Sequence, residues 1–237
     1  MFVTDVLADD PSFVATRAPT ASFLDRLDAA QRDELLALGH TRRYPAQSII
    51  FFEGDAAHDV VLIRTGELKI SATVDDREVV LDVLGPGDIL GEVAAIDGLP
   101  RSATLTTLTA SEVLRIPAAT FMDHLAARPA AALVLMRCLA ARVRDASRRQ
   151  VEYGALDAVG RVCRRLVELM DRYGEPTAAG MAISGPLTQG EIAAWAGLSR
   201  EAVVKALHGL RTLGWVTTTP RSITVVDIDA VTFRAAI

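Results

Sequence analysis

The chain has 237 residues, of which 50% are hydrophobic and 23% charged, a composition typical of a globular protein of one or two domains. No apolar run approaches the roughly 18 residues that a membrane span requires. The first 20 residues carry three aspartates where a secretory signal would be basic. These features argue against a membrane or secreted protein and predict a cytoplasmic one. Scarce lysine beside abundant arginine and alanine favours a bacterial source.

The charge is divided unevenly along the chain. Residues 1–127 contain 10 basic and 20 acidic residues, a net charge of −10, whereas residues 128–237 contain 15 and 10, a net charge of +5. A basic C-terminal part behind an acidic N-terminal part is typical of a nucleic-acid-binding domain joined to a sensor domain. Arginine-rich solvated helices would give the same balance, so the charge alone leaves both interpretations open.

Residues 1–20 are predicted to be a loosely ordered extension, and residues 21–127 an effector domain. After a first helical segment, short β-rich runs are separated by glycine and aspartate turns about ten residues apart. This spacing predicts an antiparallel β-barrel or jelly roll, because no helix of crossover length lies between the runs. The predicted strands are 48–52, 60–64, 68–73, 79–84, 104–109 and 112–116.

Residues 128–153 are predicted to form a long helix that joins two copies of the chain. Pro129 stands where a first helical turn tolerates proline. Apolar residues then recur at alternating steps of four and three, which is the pattern of a two-helix seam. An ordinary amphipathic helix packed on its own sheet would show a similar pattern over this length. The predicted seam residues are Met136, Leu139, Val143 and Ala146.

Residues 154–237 are predicted to form a winged helix-turn-helix domain. Asp157 is placed to cap a helix that ends at Gly174. Thr188 and Glu191 have the spacing of a capping box, and Ser199 is placed to cap the next helix after a glycine turn. Residues 213–217 and 223–226 then predict a β-hairpin wing around Pro220-Arg221-Ser222.

Three polar residues share one face of the second helix of this motif. Arg200, Glu201 and Lys205 project together, opposite the apolar positions. Arginine and lysine suit the acceptors of guanine, and glutamate suits the amine of cytosine, so this face is predicted to read DNA in the major groove. An exposed ion pair between Glu201 and Lys205 is the alternative interpretation.

Residues 84–107 contain the most informative motif, Gly91-Glu92 followed by Arg101-Ser102. The Arg101 guanidinium offers a fork of donors to a phosphate, and Ser102 offers a further donor. Gly91 allows close backbone approach, and Glu92 would accept hydrogen bonds from a ribose hydroxyl. An Arg101–Glu92 ion pair in an empty pocket is the alternative.

Together these motifs resemble the catabolite-activator (Crp/Fnr) family over about residues 21–230. The resemblance implies an α+β fold, with a cyclic-nucleotide-binding jelly roll, a dimerisation helix and a winged helix-turn-helix. It implies a homodimeric transcriptional regulator controlled by cyclic AMP (cAMP), which binds double-stranded DNA and RNA polymerase. By the same resemblance the phosphate and ribose contacts fall on Gly91, Glu92, Arg101 and Ser102.

The resemblance also has two departures. A Thr-Ser pair that contacts adenine in cAMP-binding members aligns with Ala146-Ser147, so only Ser147 retains a hydroxyl, and another residue such as Arg142 or Arg148 could contact the base. The family's DNA-reading triplet ends in arginine where this chain has lysine, which implies a TGTGA-like half-site of altered detail. The DNA contacts implied are Thr188, Gln189, Ser199, Arg200, Glu201 and Lys205, with Gln189 near a phosphate.

Other classes of protein find less support. No cysteine precedes Cys138, which argues against an iron–sulfur sensor, and the four histidines lack metal-ligand spacing. No nucleophile, P-loop, zinc-protease or kinase motif is present, so we expect neither a metal nor an enzyme. A regulator that is independent of ligand or responds to another effector remains the main alternative. A regulatory subunit acting through protein contacts would not account for residues 188–210.

Overall fold

The structure is a computed structural model that describes residues 21–219 and 222–237. The predictions for residues 1–20 and for the wing turn at Pro220 and Arg221 lie outside the described residues. The described chain divides into two compact units. The first contains residues 21–154 and 186–200, and the second contains residues 155–185 and 201–237.

The first unit contains two four-stranded antiparallel sheets, which confirms the predicted jelly-roll-like fold. One sheet has the strand order β1-β8-β3-β6 and the other β2-β7-β4-β5. Each predicted strand is present within a few residues of its expected ends. The strands are β1 (His40–Tyr44), β2 (Ile49–Phe51), β3 (Asp59–Thr65), β4 (Leu68–Val74), β5 (Arg77–Leu84), β6 (Ile89–Leu90), β7 (Thr104–Thr107) and β8 (Ser111–Pro117).

Strand β3 lies at the centre of the packing because both of its faces are buried. Val61 and Ile63 pack with residues of the second sheet, such as Leu105. Val60 and Leu62 point to the other face and pack with residues of the surrounding helices. A strand covered on both sides needs apolar residues at every position, which explains the continuous run in the sequence.

Helices cover the outer face of the first sheet. They are a 3-10 turn (Leu24–Arg26), α1 (Ala29–Leu36), α2 (Glu92–Asp97), α3 (Ala118–Ala127) and α4 (Pro129–Ala155), whereas α6 (Gln189–Ala196) packs against β5 of the second sheet. Helix α4 buries Ala131, Val134 and Leu135 against the unit but leaves Met136 57% and Val143 65% exposed. The long predicted helix is therefore present, with an apolar stripe that its own chain does not cover.

Three elements of this unit were not predicted, and one of them, the two-residue strand β6, is too short to give a pattern. Strand β1 pairs with β8 through polar, mostly exposed residues, so it has no apolar alternation to reveal it. Helix α2 has only six residues, and left-handed glycines, Gly91 and Gly98, stand at both ends. Such a helix depends on its turn chemistry rather than on a hydrophobic period.

The second unit contains a four-stranded sheet in the order β11-β12-β10-β9. The expected wing strands are β11 (Val216–Thr218) and β12 (Ile223–Val225), while the hairpin of β9 (Gly174–Thr177) and β10 (Gly180–Ile183) was not predicted. Its helices are α5 (Ala158–Tyr173), α7 (Arg200–Thr212) and α8 (Ile228–Arg234). Asp157 caps α5 by accepting from Gly160 N at 2.8 Å, as predicted.

No single helix in the described part of the chain is long and apolar enough to cross a membrane. The pair α3 and α4, which bend by 113° at their junction, meets that test only when their lengths and compositions are combined.

Candidate functional site

A cavity of about 290 Å³ opens in the first unit between the second sheet, the start of α2 and helix α4. Four predicted site residues from two separate segments line it together, namely Gly91, Glu92, Arg101 and Ser102. Much of the remaining wall is apolar, as in most small-molecule sites. The apolar walls include Phe51, Ile70, Leu90, Val93, Leu105, Leu139 and Val143.

Gly91 occupies a position where any other residue would be strained. Its backbone has φ +75°, the left-handed region that favours glycine. A Cβ built on Gly91 would lie 2.2 Å from Nη1 of Arg101. The glycine therefore permits both the turn into α2 and the close approach of the arginine.

Arg101 is 4% exposed and held on several sides. Its Nη2 donates to both the backbone carbonyl and the carboxylate of Asp59, each at 2.7 Å, and its Nη1 donates to the Gly91 carbonyl at 3.2 Å. The guanidinium stacks 4.2 Å from the centre of the Phe51 ring. Its buried Nε has no hydrogen-bond partner among the described residues. The Nε–H is a donor available to a ligand, since buried donors normally have an acceptor.

Glu92 is 2% exposed and lies on the α4 side of the cavity. Arg142 donates from Nη1 to Glu92 Oε1 at 2.6 Å and from Nη2 to the Ile89 carbonyl at 2.7 Å. Burial raises the pKa of Glu92, and the Arg142 charge opposes that rise. The predicted alternative of an Arg101–Glu92 ion pair is therefore wrong, because each of these residues has its salt bridge with another side chain.

Helix α4 supplies one wall of the cavity through Leu139, Arg142, Val143 and Ala146. Ser147, which the resemblance placed beside the base, does not line this cavity and is exposed. The reason is helical geometry, because consecutive residues point about 100° apart and Ala146 takes the inward position. The sequence offered Arg142 only as a substitute contact to the base, whereas here it holds Glu92.

Asp59 holds Arg101 in place at the edge of the cavity and is itself paired with Arg115, and no sequence motif indicated either residue. Asp59 is 8% exposed at the start of β3, and its carboxylate accepts from Arg101 and, through the other oxygen, from Nε of Arg115. Arg115 Nη1 also donates to the Tyr44 hydroxyl at 3.3 Å. The contact between Asp59 and Arg115 depends on the pairing of β3 with β8, and no local sequence motif reveals the register of that pairing.

The helix-turn-helix residues fall in both units. Thr188 and Glu191 form the predicted capping box, and Gly197 ends α6 in the left-handed conformation. Thr188, Gln189, Ser199 and Arg200 belong to the first unit, and Glu201 and Lys205 to the second.

Helix α7 has the two faces that the sequence predicts. It buries Val203, Ala206, Leu207 and Leu210. Arg200, Glu201 and Lys205 are exposed. Its polar face is therefore accessible, as contact with bases requires.

No cluster of three or more histidine, cysteine or acidic side chains suited to a metal ion occurs within residues 21–219 and 222–237. Cys163 is buried, and burial raises the pKa of its thiol to about 11. Cys138 is partly buried, and burial raises its pKa as well. Both thiols therefore stay protonated and poorly reactive at neutral pH.

Comparison with known proteins gives matches to both parts of the chain. A cyclic nucleotide-binding domain model matches residues 41–128, and a Crp-like helix-turn-helix domain model matches residues 160–232. The c-di-GMP responsive global regulator CLP of Xanthomonas campestris has a solved structure with a TM-score of 0.76 and 27% identity, covering 84% of this chain and 99% of that chain.

Curated relatives match over most of their length. The CRP-like cAMP-activated global transcriptional regulator of Mycobacterium tuberculosis is 31% identical over 193 residues, which are 81% of this chain and 86% of the relative. The cyclic AMP receptor protein of Thermus thermophilus is 32% identical over 196 residues, which are 80% and 86%. Because these matches span both the nucleotide-binding and the helix-turn-helix parts, the chain belongs to the Crp/Fnr family and is a DNA-binding transcriptional regulator.

Proposed function

We propose that this regulator is a cytoplasmic homodimer whose affinity for DNA is controlled by cAMP bound in the cavity of the first unit. The observation that carries this proposal is the buried Nε–H of Arg101, which has no hydrogen-bond partner among residues 21–219 and 222–237 and lies beside Glu92 and Ser102. A cyclic phosphate supplies the missing acceptor, and a ribose hydroxyl supplies a donor to Glu92. The names of the Mycobacterium and Thermus relatives support the same ligand.

The cavity's size supports a single nucleotide. Small-molecule sites usually measure about 300–1,000 Å³, and this one lies at the lower end with about 290 Å³. Gly91, Glu92, Arg101 and Ser102 are the proposed phosphate and ribose contacts. Ser147 does not line the cavity of its own chain, so we assign its contact with the base to a second copy.

The proposed dimer uses the uncovered stripe of α4. Met136 and Val143 are more than half exposed, and Leu139 and Ala146 continue the same four-and-three spacing. Leu139, Val143 and Ala146 also line the cavity, so one helix carries both the proposed seam and a wall of the nucleotide site. Occupation of the cavity would favour one arrangement of the seam, and with it one spacing of the two recognition helices.

For DNA reading we propose Arg200, Glu201 and Lys205 as base contacts, with Thr188, Gln189 and Ser199 beside the phosphates. RNA polymerase is the proposed protein partner at the promoter. The protein is proposed to have no catalytic activity and no metal.

A second candidate is the same DNA-binding regulator, controlled by a different nucleotide or by no nucleotide. Ala146 places a methyl group where a hydroxyl would aid recognition of adenine. The similar structure of CLP is titled c-di-GMP responsive. Both observations concern which nucleotide binds and leave the DNA-binding part of the proposal unchanged.

Calorimetric titration of the full-length protein with cAMP, cGMP and c-di-GMP tests the effector. We expect saturable binding of cAMP, weaker binding of the others, and an affinity for cAMP at least about 100-fold lower in Arg101→Ala, because a charge-assisted buried contact is lost. Arg43→Ala is the matched control, since that exposed arginine pairs with Glu112 away from the cavity. Binding of cGMP or c-di-GMP alone would support the second candidate with a different nucleotide, and no binding of any of the three would reject control by cAMP and favour the second candidate without a nucleotide.

DNA binding is tested by fluorescence anisotropy with a duplex that carries two TGTGA-like half-sites about one helical turn apart. We expect the affinity to change when cAMP is added and to fall about tenfold or more in Lys205→Ala. A DNA affinity that is indifferent to every bound nucleotide would contradict the allosteric part of the proposal.

A further inference from the structure

One carboxylate in the first unit is shared between two arginines. Asp59 accepts from Nη2 of Arg101 through Oδ1 at 2.7 Å, and through Oδ2 it accepts from Nε of Arg115. Arg101 lines the cavity, but Asp59 and Arg115 do not. The aspartate therefore acts on the cavity through the arginine.

The contacts of Arg101 leave it little freedom. Two acceptors from Asp59 and one from Gly91 occupy both terminal nitrogens, and the Phe51 ring covers one face of the guanidinium. The buried donor left without a partner among the described residues is Nε–H. A planar group held at its far end by fixed acceptors presents its Nε–H in one direction.

We propose that Asp59 is a positioning residue that orients Arg101 for an anionic ligand group, and that Arg115 balances the charge of Asp59. This inference rests on the proposed nucleotide site, and it states which residues fix the orientation of Arg101 and the charge around it. Asp59 alone would neutralise Arg101. With Arg115 included, the three hydrogen-bonded side chains carry a net charge of +1, Glu92 and Arg142 cancel each other, and Asp55 acts on Arg101 more weakly than Asp59 does.

A net charge of +1 suits a phosphodiester, which carries one negative charge. A neutral nucleoside would leave the Nε–H of Arg101 unpaired, and a phosphate monoester would bring more negative charge than the cluster balances. The cluster therefore selects a diester through an ion pair that lies outside the cavity itself.

Two physical accounts of Asp59 predict opposite changes in the affinity for an anion when this residue is removed. If Asp59 acted only through its charge, removing it would raise the positive potential at Arg101 and tighten the binding of an anion. If Asp59 positions Arg101, removing it frees the guanidinium and weakens the binding. The direction of the change in affinity therefore decides between them.

The experiment is calorimetric titration of the full-length protein with cAMP and, separately, with adenosine, which lacks the phosphate. We expect Asp59→Ala to lower the affinity for cAMP about tenfold and to change that for adenosine less than twofold. Asp59→Asn, which keeps one acceptor oxygen, should retain part of the affinity and guards against loss of folding in the alanine variant. Glu112→Gln is the matched control, because Glu112 also pairs with two arginines, Arg43 and Arg64, but outside the cavity; it should bind both ligands like the unmodified protein.

A ligand-free measurement separates this inference from the proposed function. In ¹⁵N spectra of arginine Nε–H groups, the Arg101 signal, identified by its loss in Arg101→Ala, should exchange slowly with solvent in the unmodified protein and rapidly in Asp59→Ala. Failure of the unmodified protein to bind cAMP would reject the effector but leave this readout to judge Asp59. Unchanged or tighter cAMP binding in both Asp59 variants, an equal loss for adenosine, or unchanged exchange would each overturn the inference.

Discussion

Two arginines reach the cavity from opposite sides, and their surroundings differ. Arg101, on the sheet side, has a side chain that is 3% exposed, and fixed backbone and carboxylate acceptors hold it. Arg142, on helix α4, has a side chain that is 22% exposed and depends on Glu92 and the Ile89 carbonyl. Because Arg101 is buried and held by fixed acceptors, whereas Arg142 belongs to a helix with an uncovered face, we expect Arg101 to set the affinity for the ligand and Arg142 to transmit its binding to α4.

The difference indicates how two arginines of one cavity can have different tasks. Arg101 would bind the ligand, and Arg142 would transmit its binding to α4. Fixed donors lower the cost of ordering a site when the ligand arrives. The ion pair between Arg142 and Glu92 on the opposite wall can be broken when a ligand hydroxyl competes for Glu92. Because Arg142 belongs to α4, the loss of this pair would change how α4 is held. Each side of the comparison can be disturbed separately.

Among three changes that leave Arg101 itself in place, the largest effect is expected on the Arg101 side, from Gly91→Ala. The new Cβ would meet Nη1 of Arg101 at 2.2 Å, so the guanidinium must move and the affinity for cAMP should fall at least about tenfold, as measured by calorimetry. Gly98→Ala is the matched control, because Gly98 ends the same helix with a similar φ of +71° but has nothing within 4 Å of a built Cβ. Both variants should lose about 1 kcal/mol of stability through backbone strain. Equal cAMP affinities in the two variants would contradict the positional role of Gly91.

An intermediate effect is expected from Arg142→Ala. The variant leaves the buried Glu92 without its cation, so the free energy of unfolding in urea should fall by about 1–2 kcal/mol, less than for a fully buried pair because Arg142 is partly exposed. The affinity for cAMP should change less than tenfold, while the ratio of DNA affinities with and without cAMP should approach one. Arg148→Ala removes an ion pair with Asp145 on the same helix and serves as the control. If the ratio of DNA affinities in Arg142→Ala equals that of the unmodified protein, Arg142 does not transmit the binding of cAMP.

The smallest effect is expected in the dependence of stability on pH. Burial raises the pKa of Glu92 above its ordinary value, and the nearby charges of Arg142 and Arg101 lower it while Asp88 adds to the rise. A carboxyl group whose pKa is raised on folding contributes stability at pH values below its unfolded pKa, and that contribution is lost as pH rises through the folded pKa. Glu92→Gln should therefore gain stability relative to the unmodified protein between the ordinary carboxyl range and neutral pH. Urea titrations across that range check the sign, and a difference that is constant with pH would contradict it.

Much of the architecture could be predicted because it depends on local signals. The six predicted strands of the first unit, the capping box of Thr188 and Glu191 and the long helix each follow from turn residues or a hydrophobic period, and the structure contains them all. Strand β1 and the hairpin of β9 and β10 could not be found this way, since polar residues or a strand of four residues give no period.

The site could be predicted only in part. Gly91, Glu92, Arg101 and Ser102 belong to one short motif of two residue pairs, and the structure places them on one cavity. Asp59 lies 42 residues from Arg101, and Arg115 reaches it only through the register in which Val61 faces Arg115 across β3 and β8. Long-range pairing of this kind is a property of the folded sheet and leaves no pattern in a short stretch of sequence.

The burial of β3 on both faces has a consequence for synthesis on the ribosome. Strand β3 pairs with β8, which begins at Ser111, so β3 lacks this partner until about 58 more residues have emerged, which is the separation of the paired residues Asp59 and Pro117. Strand β1 waits longer for the same partner. The nascent chain therefore exposes its most apolar strand for several seconds at about 5–20 residues per second. That interval is when chaperones would have most to protect.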